Sequence, residues 1–123
     1  MAEEEPARGG ADPIERLIVT TGDGVAGHRI VKYLAIVRGI VVRAPSERQS
    51  FKNTFRSSAS DKLREYAEIC EAARHDAFVK MVASAEELGA DAIIGMRYDA
   101  NELIHGASEV VAYGTAVTLV SDG

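Results

Sequence analysis

A chain of 123 residues and 13.2 kDa has room for one domain built on one core, which excludes a two-domain protein. Its 46% hydrophobic and 27% charged residues mark a folded globular chain, and no apolar run approaches the ~18 residues a membrane-spanning helix needs. With 14 basic against 19 acidic residues the net charge is -5, which argues against a dedicated nucleic-acid binder or a polybasic membrane clamp. A single cysteine and no signal-like N-terminus lead us to expect the reducing cytoplasm.

Residues 1–13 hold Glu3, Glu4, Glu5, Gly9, Gly10 and two prolines with hardly any large apolar side chain. Such a stretch cannot offset its own ordering entropy, so we expect a disordered acidic tail before a single domain over 14–123. Residues 17–21 are apolar and β-branched and read as a strand, and Gly22-Asp-Gly24-Val-Ala-Gly27 supplies the turn chemistry of a hairpin loop. Residues 30–43 carry Ile, Val and Tyr at most positions and predict a second strand closed by Pro45, with a bulge or bend at Gly39.

Residues 61–88 predict one long helix of ~42 Å, with Ser58 and Asp61 at its start and Gly89 as its C-terminal cap. At 100° per residue Leu63, Tyr66, Ala67, Cys70, Ala73, Ala77, Phe78, Met81, Ala85 and Leu88 share one stripe, so the helix lies along a sheet. Residues 91–101 and 108–120 are again β-rich, with a possible second bulge at Gly114. The fold class is α+β in the order β-β-α-β-β, a curved antiparallel sheet packed on one long helix.

A strand with one wet face alternates apolar and polar residues, yet Ile93 sits beside Ile94, Val110 beside Val111, and Ile40, Val41 and Val42 run together. Both faces of the sheet need cover, one helix supplies one face, and the sequence has no second long helix. A second copy of the chain is expected to cover the other, in a closed homo-oligomeric ring or barrel that leaves no sheet edge open.

Leu88-Gly-Ala-Asp-Ala-Ile-Ile-Gly-Met-Arg-Tyr-Asp99 and Val111-Ala-Tyr-Gly-Thr-Ala-Val117 resemble the signature strands of the YbjQ-like family. Ala73-Arg74 with Ala77 and Met81, and the 30–42 strand with its Gly39, resemble it too, so the likeness covers about residues 17–120. The resemblance implies a dodecin-like fold, a ring-shaped pentamer or pair of pentamers, and a family label of heavy-metal binding; it brings no catalytic residues with it. Where relatives carry a Gly-Gly-Arg-Ser-like element before the helix, this chain has Arg56-Ser-Ser-Ala-Ser60.

Gly22, Gly24 and Gly27 fit a G-x-G-x-x-G spacing, but the β-branched stretch behind them is a poor helix, so a glycine turn is the better reading than a dinucleotide site. The potential soft or imidazole metal ligands are Cys70, His28, His75 and His105, without a C-x-x-C or H-x-x-x-H pair. Asp99, Glu102 and His105 cluster near a loop, and with His28 they are the candidate metal ligands, chiefly if a neighbouring subunit completes the set; an ordinary solvated loop is the bland alternative. Cys70 and Arg74 fall within the apolar stripe, where a cysteine packs as core and an arginine needs a partner: a structural ion pair to Glu71, Asp99 or Glu102 or to a neighbouring subunit, or a bound anion. Arg48, Lys52 and Arg56 beside Phe51 and Phe55 make a short basic amphipathic pattern.

No G-x-S-x-G, H-E-x-x-H or enclosed carboxylate pair suggests an enzyme. The expectation is a small cytoplasmic homo-oligomeric binding or scaffold protein of no known cofactor, with metal binding at loops or subunit interfaces as the alternative.

Overall fold

The elements follow the β-β-α-β-β order that the sequence predicts: β1 (Ile18–Val19), β2 (His28–Arg43), α1 (Ala59–Glu87), β3 (Ala92–Ile104) and β4 (Ala107–Ser121). The structure is a computed structural model that describes residues 16–43, 59–104 and 106–122, with the side chains of all of these except 59–62 and 104. The expected acidic tail, Pro45, the basic stretch 48–56, Ser58 and His105 lie outside the described residues.

The sheet differs from the expected antiparallel one. Its order is β1-β3-β4-β2, it is open, and β1 runs parallel to β3 while β2 and β3 each run antiparallel to β4. The two N-terminal strands therefore sit on opposite edges and form no hairpin. Gly-Asp-Gly chemistry specifies that the chain turns; what each strand then pairs with is decided by contacts far away in sequence. The loop after β1 is held to β3 instead, where the N–H of Gly95 donates to the Gly22 carbonyl (2.8 Å) and that of Met96 to the Thr20 carbonyl (3.0 Å).

That attachment explains one of the two-sided apolar pairs. Gly95, at φ 62°, lies where the β3–β4 register shifts between Ile94 and Arg97, a bulge that needs a left-handed residue. Ile93 faces the helix core, and Ile94 joins Ala92 and Val117 in a second small core under Val25, Ile30 and Leu119. The chain thus covers Ile94 with its own loop and needs no neighbour there.

Helix α1 packs mainly across β2 and β4. Ala73, Ala77, Met81, Val82 and Ala85 are buried against Val37, Val41, Ile93, Met96, Val110 and Ala112. Full burial of a side chain such as Met81 or Val82 contributes about 1.5 to 3 kcal/mol. Gly39 is not a bulge, since the β2 shifts fall between Ile30 and Lys32 and between Tyr33 and Ala35. It is instead the point where helix and strand backbones touch: a Cβ there would stand 2.1 Å from the Ala77 carbonyl oxygen and 2.6 Å from the Met81 nitrogen. Gly114 is paired in register with Val37 on one side, while on the other it faces the β3 bulge between Ile94 and Arg97, where its missing Cβ makes room for Ile93. The helix ends in a Schellman turn at Gly89 (φ 77°), where Gly89 N–H donates to the Glu86 carbonyl and Ala90 N–H to the Ala85 carbonyl.

Candidate functional site

The apolar stripe of α1 is real but only half used. From Ala73 to Ala85 it is buried, whereas Leu63, Ala67 and Cys70 are exposed and Tyr66 is half-buried. Between this N-terminal half and the β3–β4 hairpin lies a cleft of about 280 Å³. Ile69, Ala73, Ala100 and Val110 give it apolar walls, and Arg43, Arg74 and Glu102 place charge around them. Apolar walls with a few convergent polar groups are the usual make-up of a binding cleft.

Arg74, expected within the packed stripe beside a carboxylate, is exposed and stands over an aromatic ring: its guanidinium carbon lies 6.0 Å from the centre of the Tyr98 ring. Burial holds the Tyr98 phenol above its ordinary pKa; the positive charge of Arg74 opposes that shift and the negative charge of Glu71 adds to it. The ion pair at the cleft belongs to Arg43, whose Nη2 donates to Asp76 Oδ2 at 2.9 Å. Sequence reasoning missed that pair, because 33 residues separate the partners and no local spacing signals a strand-to-helix contact. Cys70, expected as a core residue, is free and exposed in the single chain, because the helix meets the sheet closely only from Ala73 onward.

Among the described residues the candidate metal ligands Asp99, Glu102 and His28 do not converge. Asp99 stands opposite Val111 and Glu102 opposite Ser108, which puts them on different faces of the sheet, and His28 pairs with Ser121 at the far end. The Nδ1 of His28 donates to the Ala26 carbonyl at 3.0 Å. Among the described residues no three His, Cys, Asp or Glu side chains come together as a metal site. The glycine spacing at 22–27 leads into strand β2 rather than a helix, as the turn reading requires.

The sheet face turned away from α1 is the other unsatisfied surface. Tyr33, Ile36, Ile40, Val42 and Tyr113 are exposed there, Ile36 at 72%. No helix of the described residues is long and apolar enough to cross a membrane, so these side chains are not explained by a helical span.

Residues 17–120 match a family model described as YbjQ, "Putative heavy-metal-binding". The chain is 44% identical over 103 residues to a UPF0145 protein of Legionella pneumophila (strain Philadelphia 1), covering 84% of this chain and 98% of that one. It is 41% identical over 113 residues to a UPF0145 protein of Burkholderia thailandensis, covering 92% and 99%. It is also similar, at a TM-score of 0.49 and 20% identity over 85% of this chain and 98% of the other, to a crystal structure from Pediococcus pentosaceus described as a protein of unknown function. With residues 17–120 matched by one family model and by relatives that the chain covers almost end to end, the chain belongs to the YbjQ (UPF0145) family.

Proposed function

We propose that the chain is the protomer of a closed homo-oligomer, a pentamer or a pair of pentamers with the dodecin-like arrangement, that serves in the cytoplasm as a non-enzymatic binding or scaffold protein. The observation that carries this reading is the exposed apolar side chains on two separate surfaces of one chain: Tyr33, Ile36, Ile40, Val42 and Tyr113 on the sheet, and Leu63 on the helix. Contiguous apolar surface of this kind marks association sites in proteins that stay in water. One free thiol suits a reducing compartment. The cleft beside Arg74 lies next to the unfilled part of the helix stripe, so association and ligand capture occur at neighbouring surfaces.

Native mass spectrometry at micromolar concentration is the test. A closed multiple of the 13.2 kDa chain supports the reading, and a folded monomer as the main species overturns it.

A second reading, heavy-metal binding, is favoured by the family's description. Since Asp99, Glu102 and His28 lie apart in one chain, any such site is built at a symmetry axis or between copies, with His105 as a further candidate. Under this reading elemental analysis after dialysis against a mild chelator finds zinc, copper or nickel at a fraction of an equivalent per chain, as a site shared between copies requires, and no retained metal overturns it. A full equivalent per chain, lost on Cys70→Ser, would instead mean a thiolate site that the described residues of one chain do not form.

A further inference from the structure

Two sheet edges are open among the described residues. The outer edge of β2 has no strand partner along His28–Arg43, where the side chain of Lys80 donates from Nζ to the Ile40 carbonyl at 3.4 Å, and β3 is covered by the β1 segment only as far as Met96, which leaves 97–104 without a strand on that side. An unpaired edge presents alternate N–H and C=O groups that the strand of another chain can take up, and soluble proteins do not leave long apolar edges bare. The two edges also differ in charge. β2 carries Arg29, Lys32, Arg38 and Arg43 with no acid, whereas the free stretch of β3 holds Asp99 and Glu102 against Arg97.

We infer that the oligomer is joined by its own sheet, with the β2 edge of one copy pairing in parallel with residues 97–101 of β3 in the next. The direction follows from topology. β2 and β3 are both antiparallel to β4 and so run the same way, and rotation about a ring axis preserves that sense from copy to copy. The alternative twofold joint, β2 against β2, places two all-basic edges side by side, where like charges are destabilising.

Charge also selects the register. Arg38 and Asp99 both lie on the face turned away from α1, opposite Tyr113 and Val111 in β4, and neither has an ion-pair partner among the described residues. Setting Asp99 beside Arg38 brings Asn101 beside Ile40 and, on the helix side, Ala100 beside Gly39. The smallest side chain of that stretch thereby meets the point where α1 lies closest to the sheet. The joint rests on the closed-oligomer reading and specifies which surfaces make it.

The experiment is a charge exchange followed by native mass spectrometry over a concentration series. Arg38→Asp and Asp99→Arg are each expected to raise the concentration for half-assembly about tenfold or more, because each sets like charges together, and the double exchange to restore it. A second measurement places Arg38→Cys and Asp99→Cys in a Cys70→Ser background and adds a short bismaleimide. The double variant is expected to give a ladder of covalent multimers on a denaturing gel, and neither single variant a dimer. A covalent dimer from Arg38→Cys alone overturns the parallel joint in favour of a twofold one. An assembled wild type whose charge exchange does not rescue and whose double-cysteine variant does not crosslink also overturns the joint, while the oligomeric reading stands. A monomeric wild type removes both.

Discussion

The two halves of α1 carry the same kind of apolar stripe and meet different fates. From Ala73 to Ala85 the stripe is made of alanines around Met81 and Val82, and it seats closely enough on β2 that only glycine fits at position 39. Toward its N-terminal end it is equally periodic, yet Tyr66 and Cys70 line a cleft and Leu63 is 68% exposed. The contrast teaches that periodicity reports which face of a helix is apolar, whereas side-chain size decides whether that face can be closed by the same chain. Small residues let backbones approach, whereas the larger Leu63 stays exposed.

Breaking the seated half should have the largest effect. Gly39→Val drives two methyl groups into the Ala77 carbonyl and the Met81 backbone, so we expect a loss of ~3 kcal/mol or more, or no folded protein, read by circular dichroism and thermal melting. Met81→Ala removes a fully buried side chain and should cost about 2 to 5 kcal/mol in denaturant titrations. The open half should behave differently. Leu63→Ala is expected to leave the stability of the dissociated chain within ~0.5 kcal/mol while lowering the assembled fraction, and a stability loss like that of Met81→Ala would show that Leu63 is packed within its own chain. The smallest effect sharpens the border between the halves: Arg43→Ala breaks the exposed pair to Asp76 and should cost no more than ~1 kcal/mol.

Much of the fold was legible in the sequence because its signals are local. The helix bounds, the Gly89 cap and the three long strands each follow from neighbours within a few residues. The position of β1 did not, since Gly22-Asp-Gly24 looks the same whether the next strand pairs beside it or crosses to the far edge. Ile94 shows the same limit in the core: its apolar side chain suggested a missing neighbour, and the cover comes from Val25 in the chain's own loop. At the candidate site, Arg74 was flagged by its place in the stripe, but its partner is the Tyr98 ring, and the Arg43–Asp76 pair had no local signature. Asp99 and Glu102 looked adjacent in sequence, and the pleat separates them.

The claim at the centre of this account is that the side chains left bare by one chain are covered by another. Hydroxyl-radical footprinting of the native protein tests it side chain by side chain, with buried Met81 as the protected reference and Leu88, 47% exposed beyond the end of α1, as the accessible one. Tyr33, Ile36, Ile40 and Tyr113 are predicted to be protected towards the level of Met81. Oxidation of Ile36 and Tyr33 as ready as that of Leu88, in keeping with their 72% and 66% exposure in a single chain, would contradict it.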